Sequence, residues 1–373
     1  MRGVWGVLAL GAALVACGPA APGPSPSRPG PTGAPAASAP AAVAQPSPRP
    51  AAPTAPPAPA TLQVGVMNSA SDAGFFVAEE RGHFREQGLS VEFVTFGAAA
   101  QMLAPLGAAQ LDAGGTALTP GYLNAFARGI PVWVVADKGN TAPGWGYQGV
   151  LARQALVDDG TIRGAADLRG RKIGIPSLGS GAEAGLDRFL RTGGIDSRDT
   201  DLTQLTFPDM PAAMSGGSID GAIAIEPFLT RIAADGSGAI LAREDEYYPN
   251  HQVGVVYYSD AFAKERADVA RRFMVAYLQA VRDYNDAFRK GDAARRAEVV
   301  QALVKHTTVK DPALYDRMAM PGLNPDGEVN VESLREDYEF WLANGYQEER
   351  VTLTDLVDSS FVRYAVQQLG PYR

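Results

Sequence analysis

Met102-Leu103-Ala104-Pro105-Leu106-Gly107-Ala108-Ala109-Gln110-Leu111-Asp112-Ala113 and Met210-Pro211-Ala212-Ala213-Met214-Ser215-Gly216-Gly217-Ser218-Ile219-Asp220-Gly221 share one build at a constant offset. In each, two apolar residues four apart mark one face of a short helix, and an apolar residue followed by aspartate leads toward a strand. The resemblance extends outward. Before the first copy the chain predicts a strand at Leu62–Met67, a polar turn at Asn68–Asp72, a helix through Phe75–Ala78, and a strand at Val91–Phe96. The first segment itself reads as a helix over Ala98–Ala109 and a short strand near Leu111–Ala113. A helix then starts at Thr119-Pro120, where proline suits the first position, and a strand follows at Pro131–Asp137. Around the second copy, strands are expected at Lys172–Pro176, Asp201–Thr206 and Gly221–Ile225, with a helix from the Ser180–Glu183 capping box to Thr192 and a short one over Met210–Gly216. Gly88-Leu89 has its counterpart in Gly194-Ile195. Two α/β lobes with mainly parallel sheets follow from this alternation.

After the second lobe, Gln252–Ser259 is strand-like, and helices are expected at Asp268–Lys290, Asp292–Lys305, Pro312–Met318, Glu332–Asn344 and Ser360–Leu369. This tail has no sheet of its own, so it is expected to pack back on the first lobe. The predicted organisation is 61–150 and 252–373 for the first lobe and 151–251 for the second. A hinged cleft between the lobes is where a small ligand belongs.

The N-terminus says where the protein works. Arg2 precedes an apolar stretch from Gly3 to Ala16, well short of the ~20 residues that span a bilayer. Leu14-Val15-Ala16-Cys17 then reads as a lipoprotein cleavage site, with 1–16 as signal peptide and Cys17, the sole cysteine, as the lipidated residue. Gly18–Ala60 holds 15 of the 28 prolines, a composition for an extended tether with a reach on the order of 100 Å. Leader and tether contain three of the 33 basic residues and none of the 41 acidic ones, so the body carries a net charge of −11. That charge argues against nucleic acid as a partner and against binding to an anionic lipid surface.

Phe76-Val77-Ala78-Glu79-Glu80-Arg81-Gly82-His83-Phe84-Arg85-Glu86-Gln87-Gly88-Leu89 resembles a signature of solute-binding proteins of nitrate, sulfonate and thiamine-pyrimidine ABC transporters. Leu111-Asp112-Ala113-Gly114, Asp167-Leu168-Arg169-Gly170-Arg171-Lys172-Ile173-Gly174-Ile175-Pro176 and Ile219-Asp220-Gly221 with Glu226-Pro227 resemble further segments of that family, in the same order. The resemblance implies a type II periplasmic-binding-protein fold. It also implies a monomer that passes a small solute to an ABC permease and its ATPase, and that is held outside the cytoplasm by its lipid anchor, with no cofactor. A surface lipoprotein that senses its ligand for a receptor would have the same fold.

In such a fold, loops at the carboxyl ends of strands face the cleft. The candidate ligand contacts are Asn68, Ser71, Asp72, Gly115, Thr116, Trp145, Tyr147, Ser177, Ser180, Gly181, Glu226 and His251. Gly115-Thr116 and Ser180-Gly181 stand where backbone N–H groups can hold an oxyanion; equally, Ser180 and Glu183 can cap one helix mutually, and Thr116 can serve only to turn the chain. Trp145 and Tyr147 lie in the glycine-rich segment Pro143–Tyr147, where a ring-bearing ligand can stack or where the rings can pack as core. Glu226 suits a hydrogen-bonding acceptor or a salt-bridge member, and His251 a ligand contact or a packed histidine. Phe75 and Phe76 read as core; His83 and His306 read as structural or exposed. The aromatic loop leans toward a pyrimidine or aromatic acid, and the glycine-rich helix starts toward a sulfonate, carboxylate or nitrate.

The three histidines are widely spaced and the one cysteine is in the leader, so no His/Cys metal cluster or Cys/His nucleophile pair is expected. Gly179-x-Gly181-x-x-Ala184 matches a relaxed dinucleotide fingerprint, but it opens the second lobe rather than a complete nucleotide-binding domain. A pyrimidine synthase that shares this fold has a cysteine-rich motif absent here. The reading is recognition rather than catalysis.

Overall fold

The computed structural model describes residues 58–347 and 350–373. The signal peptide, Cys17 and the tether up to residue 57 lie outside the described residues. Strands run at Ala60–Val66 (β1), Leu89–Thr95 (β2), Ala113–Thr116 (β3), Val132–Gly139 (β4), Gln148–Arg153 (β5), Lys172–Ile175 (β6), Asp201–Gln204 (β7), Gly221–Ile225 (β8), Gly238–Arg243 (β9) and Gly254–Ser259 (β10). They form two five-stranded sheets of matching order, β2-β1-β3-β10-β4 and β7-β6-β8-β5-β9.

Both sheets are mixed rather than mainly parallel. β10 is antiparallel to β3 and β4, and β5 is antiparallel to β8 and β9. The cause is topological. β5 and β10 are the strands by which the chain enters a new sheet, so each starts at the edge where the parallel strands end and runs away from it. The chain leaves the first sheet after Gly139 and re-enters it at Gly254. The expected junction at 150/151 therefore falls inside β5, a strand that the pattern reading omitted along with β9.

The repeated segments occupy equivalent places. Met102 and Leu106, like Met210 and Met214, are fully buried, and all four join one apolar cluster shared by both lobes. Asp112 accepts from the Gln63 N–H at 2.9 Å and pairs with Arg266; Asp220 accepts from the Lys172 N–H at 3.3 Å and pairs with Arg153. Each aspartate thus ties the approach to a central strand to its parallel neighbour, β1 in one lobe and β6 in the other. Gly88 and Gly194 both take left-handed conformations, at φ 70° and 73°, which only glycine adopts without strain.

The long tail helix Ala267–Phe288 buries Ala270, Phe273, Met274, Tyr277, Leu278, Val281 and Tyr284, a stripe at helical spacing. It packs on the helix Ala73–Glu80, with the Phe75 and Tyr277 rings 5.1 Å apart. Each such large side chain contributes roughly 1.5–3 kcal/mol on burial. Phe75 and Phe76 are core, as expected. The helices Ala293–His306 and Ser360–Leu369 complete this layer on the first lobe. The helix Val331–Ala343 differs: Asp337 and Glu336 reach His251 and Arg188, so it bonds to the second crossover and to the second lobe.

Candidate functional site

Between the two sheets lies a cavity of about 40 Å³. Its wall comes from the ends of parallel strands (Met67, Thr116, Lys138, Ser177, Ile225) and from the starts of the antiparallel ones (Gln148, Gly254), with Phe207 and Val253 adding apolar surface. That is the edge at which α/β sheets present ligands. A water needs roughly 10–15 Å³, so the space matches a solute of a few heavy atoms. The lobes meet across it directly: the Ala70 N–H donates to the Glu226 carbonyl at 3.0 Å.

Lys138 is the charged centre of this wall. It is 2% exposed, pairs with Asp72 at 2.9 Å and donates to Ser71 Oγ at 2.9 Å. Ser71 thus takes one N–H as a hydrogen bond while Asp72 neutralises the charge, so N–H capacity remains toward the cavity. Asp72 is fixed in turn, its other oxygen accepting the Met67 and Ser69 N–H groups at 3.1 and 2.8 Å. Gly115 is required behind it, because a Cβ there would stand 2.6 Å from both Lys138 Cε and the Phe75 ring. Opposite, the helix Gly181–Thr192 begins at Ser180, whose Oγ accepts the Glu183 N–H at 3.3 Å and donates to the Ser177 carbonyl at 2.8 Å. The Glu183 carboxylate takes the Gly179 N–H at 2.7 Å, one residue earlier than a standard capping box. Burial raises the Glu183 pKa against that N–H and the Tyr346 hydroxyl. Ser177 Oγ is buried without a hydrogen-bond partner.

A model of the NMT1-like family matches residues 55–304. The chain belongs to this family. Among solved structures of similar fold is the alkanesulfonate-binding protein SsuA from Xanthomonas axonopodis pv. citri bound to MOPS, with TM-score 0.65 and 22% identity over 81% of this chain and 99% of that one. The periplasmic nitrate-binding protein NrtA from Synechocystis PCC 6803 is similar at TM-score 0.68 and 16% identity, over 84% and 89%. So is a desulfurization enzyme, DSZB, at TM-score 0.59 and 17% identity, over 83% and 99%. No curated protein matches the chain in sequence. The likenesses bear out the type II periplasmic-binding-protein fold read from the sequence.

In this NMT1-like protein, Ser71, Thr116, Tyr147, Ser177 and Ser180 of the expected set line the cavity. Asp72, Gly115 and Gly181 stand behind that wall. Four others lie elsewhere. Asn68 donates to Thr95 Oγ1 at an exposed position. Trp145 packs on Tyr284, with ring centroids 6.4 Å apart, and lies under Arg289, so its ring does not face the cavity. Glu226 is fully buried and paired with Arg243 at 3.0 Å, with Thr230 donating to both its oxygens. Burial raises its pKa against those partners.

His251 is the fourth. It is completely buried between Glu244, 3.1 Å from Nδ1, and Asp337, 2.9 Å from Nε2. Burial by itself lowers its pKa, but the charges of Asp337 and Glu244 and the hydrogen bond to Asp337 outweigh that and raise it to about 10. Tyr248 stacks on the ring at 4.3 Å. Thr141 of the first crossover bonds to Tyr248, Asn250 and His251 of the second, so the two crossings between lobes form one hydrogen-bonded unit. The histidine ties the two crossovers to the helix Val331–Ala343.

Sequence reasoning missed Lys138, Gln148, Phe207 and Ile225. Lys138 carried a usable signal: a charged residue directly after the buried strand ending at Asp137, where cleft loops begin. Among the described residues, no group of three or more His, Cys, Asp or Glu is placed to hold a metal ion, and no helix is long and apolar enough to cross a membrane.

Proposed function

We propose that this NMT1-like chain is an extracytoplasmic solute-binding lipoprotein, anchored through Cys17, that captures a small solute between its lobes and passes it to an ABC permease. The observation that carries this reading is the cavity itself. Both lobes contribute to it, its wall mixes hydroxyls and one ammonium with apolar side chains, and it lies beside paired crossovers that can serve as a hinge. Solute binding then favours the closed form, which the permease distinguishes from the open one. The neighbours of this fold include proteins named for alkanesulfonate and nitrate binding, which supports the same role. Ser71, Thr116, Tyr147, Ser177 and Ser180 are the proposed contacts, joined by Lys138 and Gln148. With Trp145 turned away, the argument for a stacked aromatic ligand loses its ring.

The test is native mass spectrometry of the full chain purified from its own host, followed by mild denaturation to release any bound molecule. One released small-molecule mass is the expected result. A bare protein mass, together with no thermal shift across a panel of sulfonates, pyrimidines, acids and amides, would sink the reading.

A further inference from the structure

Each positive element at the cavity already has its own carboxylate. Lys138 is matched by Asp72 at 2.9 Å, and Asp72 is fully buried. The N-terminus of Gly181–Thr192, which would otherwise attract an anion, is closed by Glu183, itself 2% exposed and held by the Gly179 N–H and the Tyr346 hydroxyl. No arginine is among the residues lining the cavity. Among the residues lining the cavity, the buried side-chain atom without a hydrogen-bond partner is a hydroxyl, Ser177 Oγ, 7% exposed; behind the wall Asp72 Oδ1 also accepts no hydrogen bond and faces only the Lys138 ammonium. Acids also stand behind the wall, Asp72 against Lys138 and Glu244 against Gln148. The Tyr147 hydroxyl has its pKa raised by burial and then by the charges of Asp137, Glu244 and Asp72.

An anion placed here gains no countercharge that is not already shared. A donor and acceptor group with no negative charge gains Ser177, Thr116 and the remaining N–H of Lys138, while an apolar part packs on Phe207 and Val253. We propose that the cleft selects a compact, uncharged, hydrogen-bonding solute and discriminates against anions, which sets nitrate, sulfonates and aromatic acids aside. This rests on the solute-binding reading above and names the ligand class of the same site.

Acetate, acetamide and acetamidinium share one Y-shaped frame and carry a negative, no and a positive charge. Their dissociation constants for the full chain are measured by ligand-observed NMR, in the wild type and in Asp72→Asn, which releases the charge of Lys138. Acetamide is expected to bind the wild type at least about tenfold more tightly than acetate, and Asp72→Asn to reverse that order. Acetate binding as tightly as acetamide to the wild type overturns the assignment while leaving the cleft a binding site. Failure of all three probes, with no co-purified solute, overturns the solute-binding reading and this assignment with it. The wild-type ratio decides alone if Asp72→Asn does not fold, and Glu183→Gln provides a second variant, expected to narrow the preference for acetamide.

Discussion

Two buried ionic clusters occupy the waist of this molecule, and they are built differently. In one, Lys138 meets a single carboxylate, Asp72, and keeps an N–H for the cavity it lines. In the other, His251 stands between two carboxylates, hydrogen-bonded to Asp337 through Nε2 and 3.1 Å from Glu244 at Nδ1 in an ion pair without a hydrogen bond. Gln148 joins them, lining the cavity and donating to Glu244 at 2.8 Å. The histidine cluster does not border the cavity, and it pins the crossovers to the helix Val331–Ala343. The lysine cluster borders the cavity and can recognise. Burial alone does not distinguish these roles; contact with the cavity does.

The contrast is broken most severely by His251→Ala, which leaves two buried carboxylates facing each other without a cation. Urea unfolding at neutral pH is expected to show a loss of about 3–5 kcal/mol. A loss below about 1 kcal/mol would mean the cluster is solvated and holds nothing. The same residue sets a pH window. Its folded pKa, about 10, lies above the unfolded value near 6.5, so its contribution is complete below pH 6.5 and is lost as pH rises toward 10. The stability difference between wild type and His251→Ala should therefore shrink across that range. A difference that stays constant with pH contradicts a charged histidine.

Glycines beside each cluster sharpen the comparison. Gly115→Ala drives a methyl against Lys138 and Phe75, and Gly185→Ala drives one against Glu244; each is expected to cost about 1–3 kcal/mol of stability. Gly115→Ala should weaken solute binding more than Gly185→Ala, which reaches the cavity only through Gln148, read by titration at a temperature where both variants are folded. Equal losses of affinity would erase the distinction between recognition and hinge. The smallest effect is that of Tyr346→Phe, which removes one hydrogen bond to Glu183, worth about 0.5–1.5 kcal/mol. It should leave the His251 window unchanged.

Much of the fold was legible because it rests on local pattern. β8 and the helix Ser360–Leu369 begin and end where the apolar spacing placed them, and Asp311 caps the turn at Pro312 as its type suggests. β5 and β9 were not legible. Gln148–Arg153 is buried on nearly every residue, so it lacks the alternation that marks a strand. Thr119 marks the start of its helix, yet its side chain makes no capping bond. At the site, Ser71, Thr116, Tyr147, Ser177 and Ser180 could be found from strand ends and turn chemistry. Lys138 could be flagged by its place at a strand end, but its pairing could not, since nothing local says that it folds inward onto Asp72, 66 positions earlier.

The sequence by itself determined that the body is two α/β lobes of related build, because periodic burial and glycine turns act over a few residues. Its repeated Leu-Asp and Ile-Asp steps also marked where the equivalent strands approach. Tertiary structure alone decided that Trp145 turns from the cavity, that His251 ties the crossovers together, and that Lys138 arrives already paired. Those outcomes depend on which charges are brought together from distant parts of the chain and how fully they are removed from water, and burial and pairing across such distances leave no local trace.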